Sequence, residues 1–516
     1  MKKHLLFSVS VALLASCSMG PHYQSTTQKH VNTICKAAPF EMSVKVPSFA
    51  GMVYNVVDYG ADPTGNQLSH EAIQHAIDLC SETGGGTVLI PAGVYLTGPI
   101  ELKSHVRLYT DYNALVLFSD DFSLYPVLDA SFEGLDTRRC QSPISARNAE
   151  DIAICGHGTF NGKGDSWRPL KSSKVTASQW KQKIKKGVVD EAKGVWYPDS
   201  AAMLAVALCE DQNVPVLPAD ASDEQWEAIR SFLRPVMVNI IGCKNVLLEG
   251  VCFENSPAWN LHPLMCENVV LRDLEVRNPW YSQNGDGVDV ESCKNVLIEG
   301  CRFDVGDDAI CMKSGKNEDG RRRGIPSENI YVKNCVVYHG HGGFVVGSEM
   351  SGGIKNVNVE DCLFIGTDVG LRFKSTRGRG GVVENIYINR INMSDIVNEA
   401  LLFDLFYGGK GSGEETEEEI AARMGASVPV ADETTPAFRD INIRNIICKG
   451  AKQCIYFNGL PEMKIQNVSL ANIQMSGKKG ALFNQTNGLT MKNVVIEAEQ
   501  GEAIMLSKSV DNVSIE

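Results

Sequence analysis

The sequence lacks a basic excess, although many of its 516 residues are charged. Lys and Arg total 49 and Asp and Glu total 62, so the formal net charge is −13 at pH 7. Phosphate backbones and anionic lipid surfaces repel a chain of that charge, which argues against nucleic acid and a membrane surface as partners. An acidic substrate is not excluded, provided that basic residues are concentrated at one site.

Long apolar runs are also scarce, and the only candidate lies at the N terminus. Two lysines precede an apolar stretch over residues 5–15, which is short for a membrane span and typical of an export signal. The next residues, Leu14-Ala15-Ser16-Cys17, resemble a bacterial lipobox, which predicts a signal peptide over residues 1–17 and lipidation of Cys17. A plain signal peptide with an incidental cysteine is the alternative.

No acidic run follows Cys17, so we expect an exported periplasmic lipoprotein that meets the membrane only through its lipid anchor, with surface exposure as the alternative. Residues 18–50 are interpreted as a linker. The oligomeric state is left open.

A sustained helical period is absent from most of the chain, and a repeat of short alternating strands takes its place from about residue 240. Each repeat is a short strand, a tight turn and a second short strand, too small to bury its own apolar face, so neighbours must stack. This pattern predicts an all-β, right-handed parallel β-helix. The repeat units are KNVLLEGVCFEN from Lys244, ENVVLRDLEVRN from Glu267, KNVLIEGCRFDV from Lys294, ENIYVKNCVVYH from Glu328, KNVNVEDCLFIG from Lys355 and ENIYINRINMSD from Glu384.

Residues 51–140 differ from the repeat and are interpreted as an N-terminal cap and first coils, with a helix from Ser69 to Glu82. Residues 141–516 are then the β-helix domain, with insertions at about 165–233 and 408–437. Insertions in a solenoid often lie on its binding face, so either is a candidate lid, and a solvated loop is the alternative.

Cysteine is plentiful, with 16 in the chain, and 15 remain when Cys17 is set aside. Export permits disulfides, but spacing does not give their connectivity. Cys252, Cys301, Cys335 and Cys362 are interpreted as occupying one position of the repeat. A ladder of buried thiols is expected there rather than disulfides or a metal site.

Aligning consecutive coils on their cysteines brings charged residues into register. Asp307 and His341 fall at one offset, and NGDGVDVES aligned with GDDAICMKS places Asp286 against Asp308. Because stacked coils lie about 4.8 Å apart, these side chains should form one patch. The predicted patch comprises Asp286, Asp307, Asp308, His341, Arg372 and Lys374.

This combination of residue types suits acid/base hydrolysis of an acidic sugar. Hydrolysis of a glycosidic bond needs a protonated carboxyl for the leaving oxygen and a carboxylate for water or sugar, and crowded carboxylates keep one proton near neutral pH. A basic pair beside them would hold an anionic group. Turn chemistry explains a single Asp beside Gly, and calcium is a rival use of three carboxylates, against which the basic residues argue.

The four motifs that carry the patch resemble those of glycoside hydrolase family 28, the polygalacturonases, over about residues 50–510. The family's N-T-D, G/Q-D-D, G-H-G and R-I-K motifs stand here, in the same order, as Asn284-Gly285-Asp286, Gly306-Asp307-Asp308, Gly340-His341-Gly342 and Arg372-Phe373-Lys374. Gly285 and Phe373 depart from that pattern. GSEMSGG at 347–353 and RGRGG at 377–381 resemble the exo-acting bacterial branch.

The resemblance implies inverting hydrolysis of α-linked galacturonate in pectin, without a metal or other cofactor. Asp307 would be the general acid, Asp286 and Asp308 would hold and deprotonate the water, and His341 would assist the acid. Arg372 and Lys374 would bind the galacturonate carboxylate.

Three residues outside the motifs are further substrate-binding candidates. They are His262, which shares a register offset with Arg372, Lys313, which shares one with Lys374, and Tyr407. Trp259 and the run Arg321-Arg322-Arg323 are candidates for the same groove, and a solvated loop is the alternative for the arginine run.

Other functions remain open on the sequence alone. A galacturonidase or a rhamnogalacturonan hydrolase acting on complex pectin fragments is the nearest. A non-catalytic β-helix binding protein would lack the acid/base set, and a lyase would use Lys or Arg as its base and usually calcium.

Overall fold

A computed structural model describes residues 23–211, 213–408 and 428–516. Cys17, the expected signal peptide and residues 409–427 of the second expected insertion lie outside the described residues. None of the helices that the described residues form has the length and apolar character to cross a bilayer.

The chain winds as a right-handed parallel β-helix, as predicted, with strands stacked in three parallel layers that continue into one another around the corners. The first layer contains Ile100–Glu101, Ile144–Arg147, Val238–Ile241, Leu261–Leu264, Val288–Glu291, Asp308–Lys313, Gly342–Val346 and Val369–Lys374. The second contains Val53–Asn55, Gly86–Ile90, Val106–Thr110, Glu150–Gly156, Lys244–Glu249, Glu267–Arg272, Lys294–Glu299 and Ser327–Lys333. The third contains Thr64–Leu68, Gly93–Thr97, Ala114–Phe118, Thr159–Asn161, Cys252–Glu254, Glu275–Arg277, Arg302–Asp304 and Val336–His339.

Toward the C terminus the corners open, and single long strands span more than one layer. These strands are Ile354–Ile365, Val382–Asp404, Ala437–Asn458, Ile465–Asn484 and Thr486–Leu506, followed by Asp511–Ile515. Inward-facing apolar side chains from all the coils form one continuous core, as a stacked solenoid requires.

The asparagine that opens most repeat units makes the corner between layers. Asn245, Asn268, Asn329, Asn356 and Asn385 all have φ between 56° and 59°, a left-handed conformation that asparagine tolerates. Their side-chain amides bond from coil to coil, for example Asn356 Nδ2 to Asn329 Oδ1 at 3.0 Å. The recurring K-N and E-N pairs are therefore a turn device repeated at each coil.

The cap helix expected over Ser69–Glu82 runs over His70–Glu82 and buries Ile73, Ala76 and Ile77 against the first coils. Residues 23–50 are not the free linker that the sequence suggested. Helix Gln28–Cys35 and the segment after it cover apolar outward-facing residues of the second layer. Ser25 and Thr26 also bond to Glu249, so this segment is packed on the domain.

The cysteine prediction is right in part. The 15 described cysteines are free thiols, and Cys301, Cys335 and Cys362 stack in the core. Cys252 does not join them, because its register partner is Glu275 and then Arg302, while Val251 occupies the inward position.

Two segments that are not part of the coils lie over the first layer. Strands Val127–Phe132 and Leu135–Cys140 form an antiparallel hairpin, called the wall hairpin below. The insertion expected at 165–233 contains helices Ala177–Lys183, Ser200–Ala205 and Asp223–Glu227 and strands Leu170–Lys171, Val188–Asp190, Val195–Tyr197, Cys209–Asp211 and Val214–Pro215. The short helix Asn317–Arg323 follows strand Asp308–Lys313. Single turns of 3₁₀ helix occur at Val56–Tyr59, Phe122–Leu124, Gly164–Ser166, Ser172–Lys174, Val206–Leu208 and Arg230–Phe232.

Candidate active site

A polar cleft of about 500 Å³ lies over the first layer. All six residues of the predicted patch line it, and the parallel register is the reason. Val288 pairs with Ile310, and Asp308 pairs with Gly342, which in turn pairs with Val369. The lining residues used below are Asp286, Asp307, Asp308, His341, Arg372, Lys374, Lys313, Tyr407, Trp259, Glu349, Glu133, Asn213 and Asn284.

The three aspartates converge, with one oxygen of each lying within 4.8 Å of the other two. The tight turns before them leave no room for side chains. A Cβ on Gly285 would collide with Ser282 Oγ, which accounts for glycine where the family pattern has Thr. Asp307 is the most accessible, at 24% side-chain exposure against 4% for Asp286 and 3% for Asp308.

Asp308 is held by both basic residues of the patch. Lys374 Nζ donates to its Oδ2 at 2.7 Å and Arg372 NH1 to its Oδ1 at 3.2 Å, and all three side chains are buried. Although burial disfavours their charges, Asp308 and other nearby acidic groups raise the pKa of Arg372 and of Lys374 above the ordinary values. Tyr407 covers the pair, with its ring centroid 4.8 Å from Lys374 Nζ.

Asp307 and His341 form a second ion pair at the mouth of the cleft, with Nδ1 3.1 Å from Oδ1. The charge of Asp307 raises the pKa of His341 to about 9 against the opposing effect of burial. Burial opposes the ionisation of Asp307, but His341, Lys374 and Arg372 outweigh it and lower the pKa of Asp307 below its ordinary value. The proton that this pair shares therefore sits on the imidazole.

The pKa of Asp286 is shifted in the opposite direction from that of Asp307. Burial, then the charges of Asp289 and Asp307, raise its pKa well above the ordinary value. Burial and its acidic neighbours therefore favour the protonated form of Asp286.

The sequence suggested that Lys313 binds a substrate carboxylate, but in the structure its ammonium group is paired with carboxylates of the protein. Its Nζ lies 3.0 Å from Asp289 Oδ1, 3.6 Å from Glu349 Oε2 and 3.8 Å from Asp286 Oδ2. It also lies 3.7 Å from the ring centroid of Trp259. Lys313 is therefore an internal cation that compensates three protein carboxylates.

The prediction that His262 lines the groove is wrong. His262 does share its register with Arg372, but its side chain is fully buried between Glu291, 2.8 Å from Nε2, and Asn239, 3.0 Å from Nδ1. Arg323 bonds to the same Glu291 and covers it. Arg323 connects this polar cluster to the wall hairpin, because its NH2 donates to Ser131 Oγ at 3.2 Å.

The arginine run is also structural. Arg321 donates to the backbone oxygens of Gly378 and Arg379, and Arg322 pairs with Asp319 and Asp136. These contacts fasten neighbouring loops to each other.

The sequence reasoning missed several cleft residues. Glu349 carries a detectable signal, since it stands in GSEMSGG. Asp289, which the sequence reasoning also missed, does not line the cleft but is fully buried and contacts Lys313. Glu133 and Asn213 lie outside every repeat and motif, so only the folded chain brings them to the cleft.

The aspartate cluster has the donor type that calcium prefers. Asp308 already meets Lys374 and Arg372, and Asp307 meets His341, so these donors are engaged by protein cations. A cation would have to compete with those ion pairs, which makes the cluster a poor fit for a metal.

Residues 228–422 match the family model described as "Glycosyl hydrolases family 28", and residues 53–122 match "Rhamnogalacturonase A/epimerase, pectate lyase-like". The chain is 26% identical over 477 residues to the exo-poly-alpha-D-galacturonosidase of Dickeya chrysanthemi, over 90% of this chain and 74% of the relative. It is 26% identical over 409 residues to the endo-polygalacturonase of Pectobacterium carotovorum subsp. carotovorum, over 78% and 83%. The crystal structure of a hyperthermoactive exopolygalacturonase from Thermotoga maritima superposes with a TM-score of 0.67 at 28% identity, over 95% of this chain and 96% of that chain.

Proposed function

Because the chain belongs to family 28 of the glycosyl hydrolases and is a pectin-degrading glycoside hydrolase, we propose that it removes α-linked galacturonate units from chain ends. The observation that carries exo action is the wall hairpin, which lies across the first layer. On one side of it is the catalytic cleft, which Glu133 lines. On the other is a separate depression, which Ser131, Ser145 and Asn239 line.

The wall hairpin is fixed to the coil that carries Asp307 and Asp308. Lys316 N donates to Gly134 O at 2.9 Å, and Asp136 N donates to Asp319 Oδ2 at 3.1 Å. At the same place Phe132 packs against Trp259, with ring centroids 5.0 Å apart. A polymer running along the layer meets this wall, so a chain end fits the cleft better than an interior segment.

We assign the substrate carboxylate to Arg372 and Lys374, under the ring of Tyr407. When a galacturonate carboxylate joins them, it offsets part of the positive field that lowers the pKa of Asp307. The proton then moves from His341 Nδ1 to Asp307, which gives it to the leaving glycosidic oxygen. Asp307 suits this role because it is the most accessible of the three aspartates.

Asp286 and Asp308 hold the attacking water and take its proton as one interacting pair. Inversion follows from the family resemblance. One oxygen of each aspartate lies within 4.8 Å of the other two, whereas inverting sites are recognised by a separation of roughly 6.5–9.5 Å between whole carboxyl groups. The anomer formed first therefore needs direct observation by proton NMR: β-galacturonate supports inversion, and α-galacturonate contradicts it.

Product analysis tests the whole proposal. The protein lacking residues 1–17 is incubated in EDTA with polygalacturonan, with short oligogalacturonides and with rhamnogalacturonan fragments, and Asp307→Asn is the control. Mono- or digalacturonate from the start, slow shortening of the polymer and an inactive control support exo hydrolysis. Random oligomers indicate endo action, and activity on rhamnogalacturonan fragments alone indicates the alternative substrate class.

We further propose that the protein is an exported lipoprotein anchored through Cys17. The lipobox-like Leu14-Ala15-Ser16-Cys17 supports this proposal. Mass spectrometry of the N terminus in the producing cell, compared with Cys17→Ala, tests it; an unmodified Cys17 in the mature protein contradicts it.

A further inference from the structure

A buried carboxylate stands at the closed end of the cleft. Glu133 occupies the tip of the wall hairpin, with a left-handed φ of 51°, and is 2% exposed. The turn can dock because the next residue is glycine: a Cβ on Gly134 would lie 2.8 Å from Lys316 N. Glu133 is thus held at a fixed place on the cleft lining.

The carboxylate of Glu133 has spare acceptor capacity among the described residues. Asn213 Nδ2 donates to Oε1 at 2.8 Å, and Asn284 Nδ2 approaches the same oxygen at 3.4 Å. Oε2 has only a 3.5 Å contact from Asn213 N, although a carboxylate offers about four acceptor sites. Asn284 Oδ1 in turn accepts from Arg234 NH2 at 2.9 Å, so the group is rigidly supported.

At this end of the cleft, the groups of the sugar that can act as hydrogen-bond donors are its hydroxyl groups. Glu133 and Glu349 both line this part of the cleft, and their carboxyl oxygens can accept hydrogen bonds from hydroxyl groups. Interior units of polygalacturonan have their O4 in a glycosidic bond, whereas the unit at the non-reducing end has a free 4-hydroxyl. A chain end is therefore the unit that brings an additional donor to the wall.

We infer that Glu133 accepts a hydrogen bond from the 4-hydroxyl of the terminal galacturonate and makes the enzyme specific for saturated non-reducing ends. This inference rests on the proposed exo action. Chain ends left by pectate lyases have a C4–C5 double bond and no 4-hydroxyl, so they would leave the buried acceptor without its donor. Sites that hydrogen-bond a substrate hydroxyl discriminate strongly against analogues that lack it.

The test compares trigalacturonate, 4,5-unsaturated trigalacturonate and borohydride-reduced trigalacturonate as substrates of the wild type, Glu133→Gln and Asp129→Asn. Asp129 is the matched control, because it lies on the same hairpin with an 89% exposed side chain. We expect the wild type to prefer the saturated over the unsaturated substrate by about 100-fold or more in kcat/KM, and to tolerate reduction of the opposite end. Glu133→Gln should lower this ratio at least tenfold through loss on the saturated substrate, and Asp129→Asn should leave it unchanged.

Equal rates of the wild type on saturated and unsaturated ends overturn the inference, and this comparison does not depend on the variant folding. An equal loss of Glu133→Gln on both substrates, or rejection of the reduced substrate, overturns it as well. Failure of exo action is separately visible, as random oligomers from polygalacturonan with the wild type.

Discussion

His341 Nδ1 lies 3.1 Å from Asp307 Oδ1, so the most accessible carboxylate of the cleft shares a proton with an imidazole one coil away. The pair keeps its proton up to the point at which His341, with a pKa of about 9, is titrated. The alkaline side of the activity profile therefore reports this pair.

Replacement of His341 should remove the alkaline limb of the pH–activity profile. For the wild type we expect kcat/KM to fall at alkaline pH with an apparent pKa near 9. For His341→Asn we expect kcat to fall by about 100-fold or more and this alkaline transition to disappear. Profiles from pH 4 to 11 on trigalacturonate measure it. His339→Asn is the matched control, because His339 makes a similar contact with Asp304 at 2.8 Å outside the cleft lining. An unchanged alkaline limb in His341→Asn contradicts the assignment.

The same pair predicts a pH-dependent stability. Folding raises the pKa of His341 from about 6.5 to about 9, so its stabilising contribution is complete below 6.5 and is lost as the pH rises through 9. The Tm difference between wild type and His341→Asn should shrink from pH 6 to pH 10. A difference that grows over that window would be opposite in sign to the ion pair.

Lys313 and Asp289 should shift the acidic limb in opposite directions. Lys313 lowers and Asp289 raises the pKa of Asp286, whose pair with Asp308 must release a proton to act as base. Lys313→Met should move the acidic limb to higher pH and Asp289→Asn to lower pH. Lys313→Met also leaves buried carboxylates uncompensated, at a cost of about 3–5 kcal/mol in the free energy of unfolding.

A double-mutant cycle separates this role from loss of packing. Lys313→Met/Asp289→Asn should recover part of the stability lost in Lys313→Met, as urea unfolding measures. Strict additivity of the two single changes would argue that the 3.0 Å contact between them contributes nothing.

Disturbing the wall should change the products. Gly134→Val places a Cβ 2.8 Å from Lys316 N at a φ of 75°, which pushes the wall hairpin off the coil. We expect less mono- or digalacturonate and more internal cleavage of polygalacturonan, measured by viscosity loss per bond cleaved. Gly84→Val is the control, since it has the same kind of backbone strain at φ 99° with nothing within 4 Å of its Cβ. If both variants keep the wild-type products, the hairpin does not close the cleft.

Methyl esterification of the substrate should block turnover. A methyl ester cannot form an ion pair with Arg372 and Lys374, which are both buried beside Asp308. We expect at least a 100-fold lower kcat/KM on methyl-esterified than on free trigalacturonate, and a much smaller ratio for Lys374→Met. Equal rates on the two substrates in the wild type would place the substrate carboxylate elsewhere.

Most of the fold could be predicted because the same short strand-and-turn pattern is repeated in each coil. An asparagine corner such as Asn329 and the alternation of apolar residues set each coil, and stacking propagates the register to the next. The misplacement of Cys252 shows the limit, since one residue more or less in a turn exchanges the inward and outward faces.

The sequence by itself therefore determined the solenoid and the convergence of Asp286, Asp307, Asp308, His341, Arg372 and Lys374, because parallel register carries these positions from coil to coil. Only the tertiary structure decided which of their neighbours reach the cleft. His262 is buried between Glu291 and Asn239, Lys313 pairs with Asp289, and Glu133 comes from the wall hairpin, outside the repeat. These outcomes depend on how segments far apart in the chain pack on the first layer, and no local period encodes that packing.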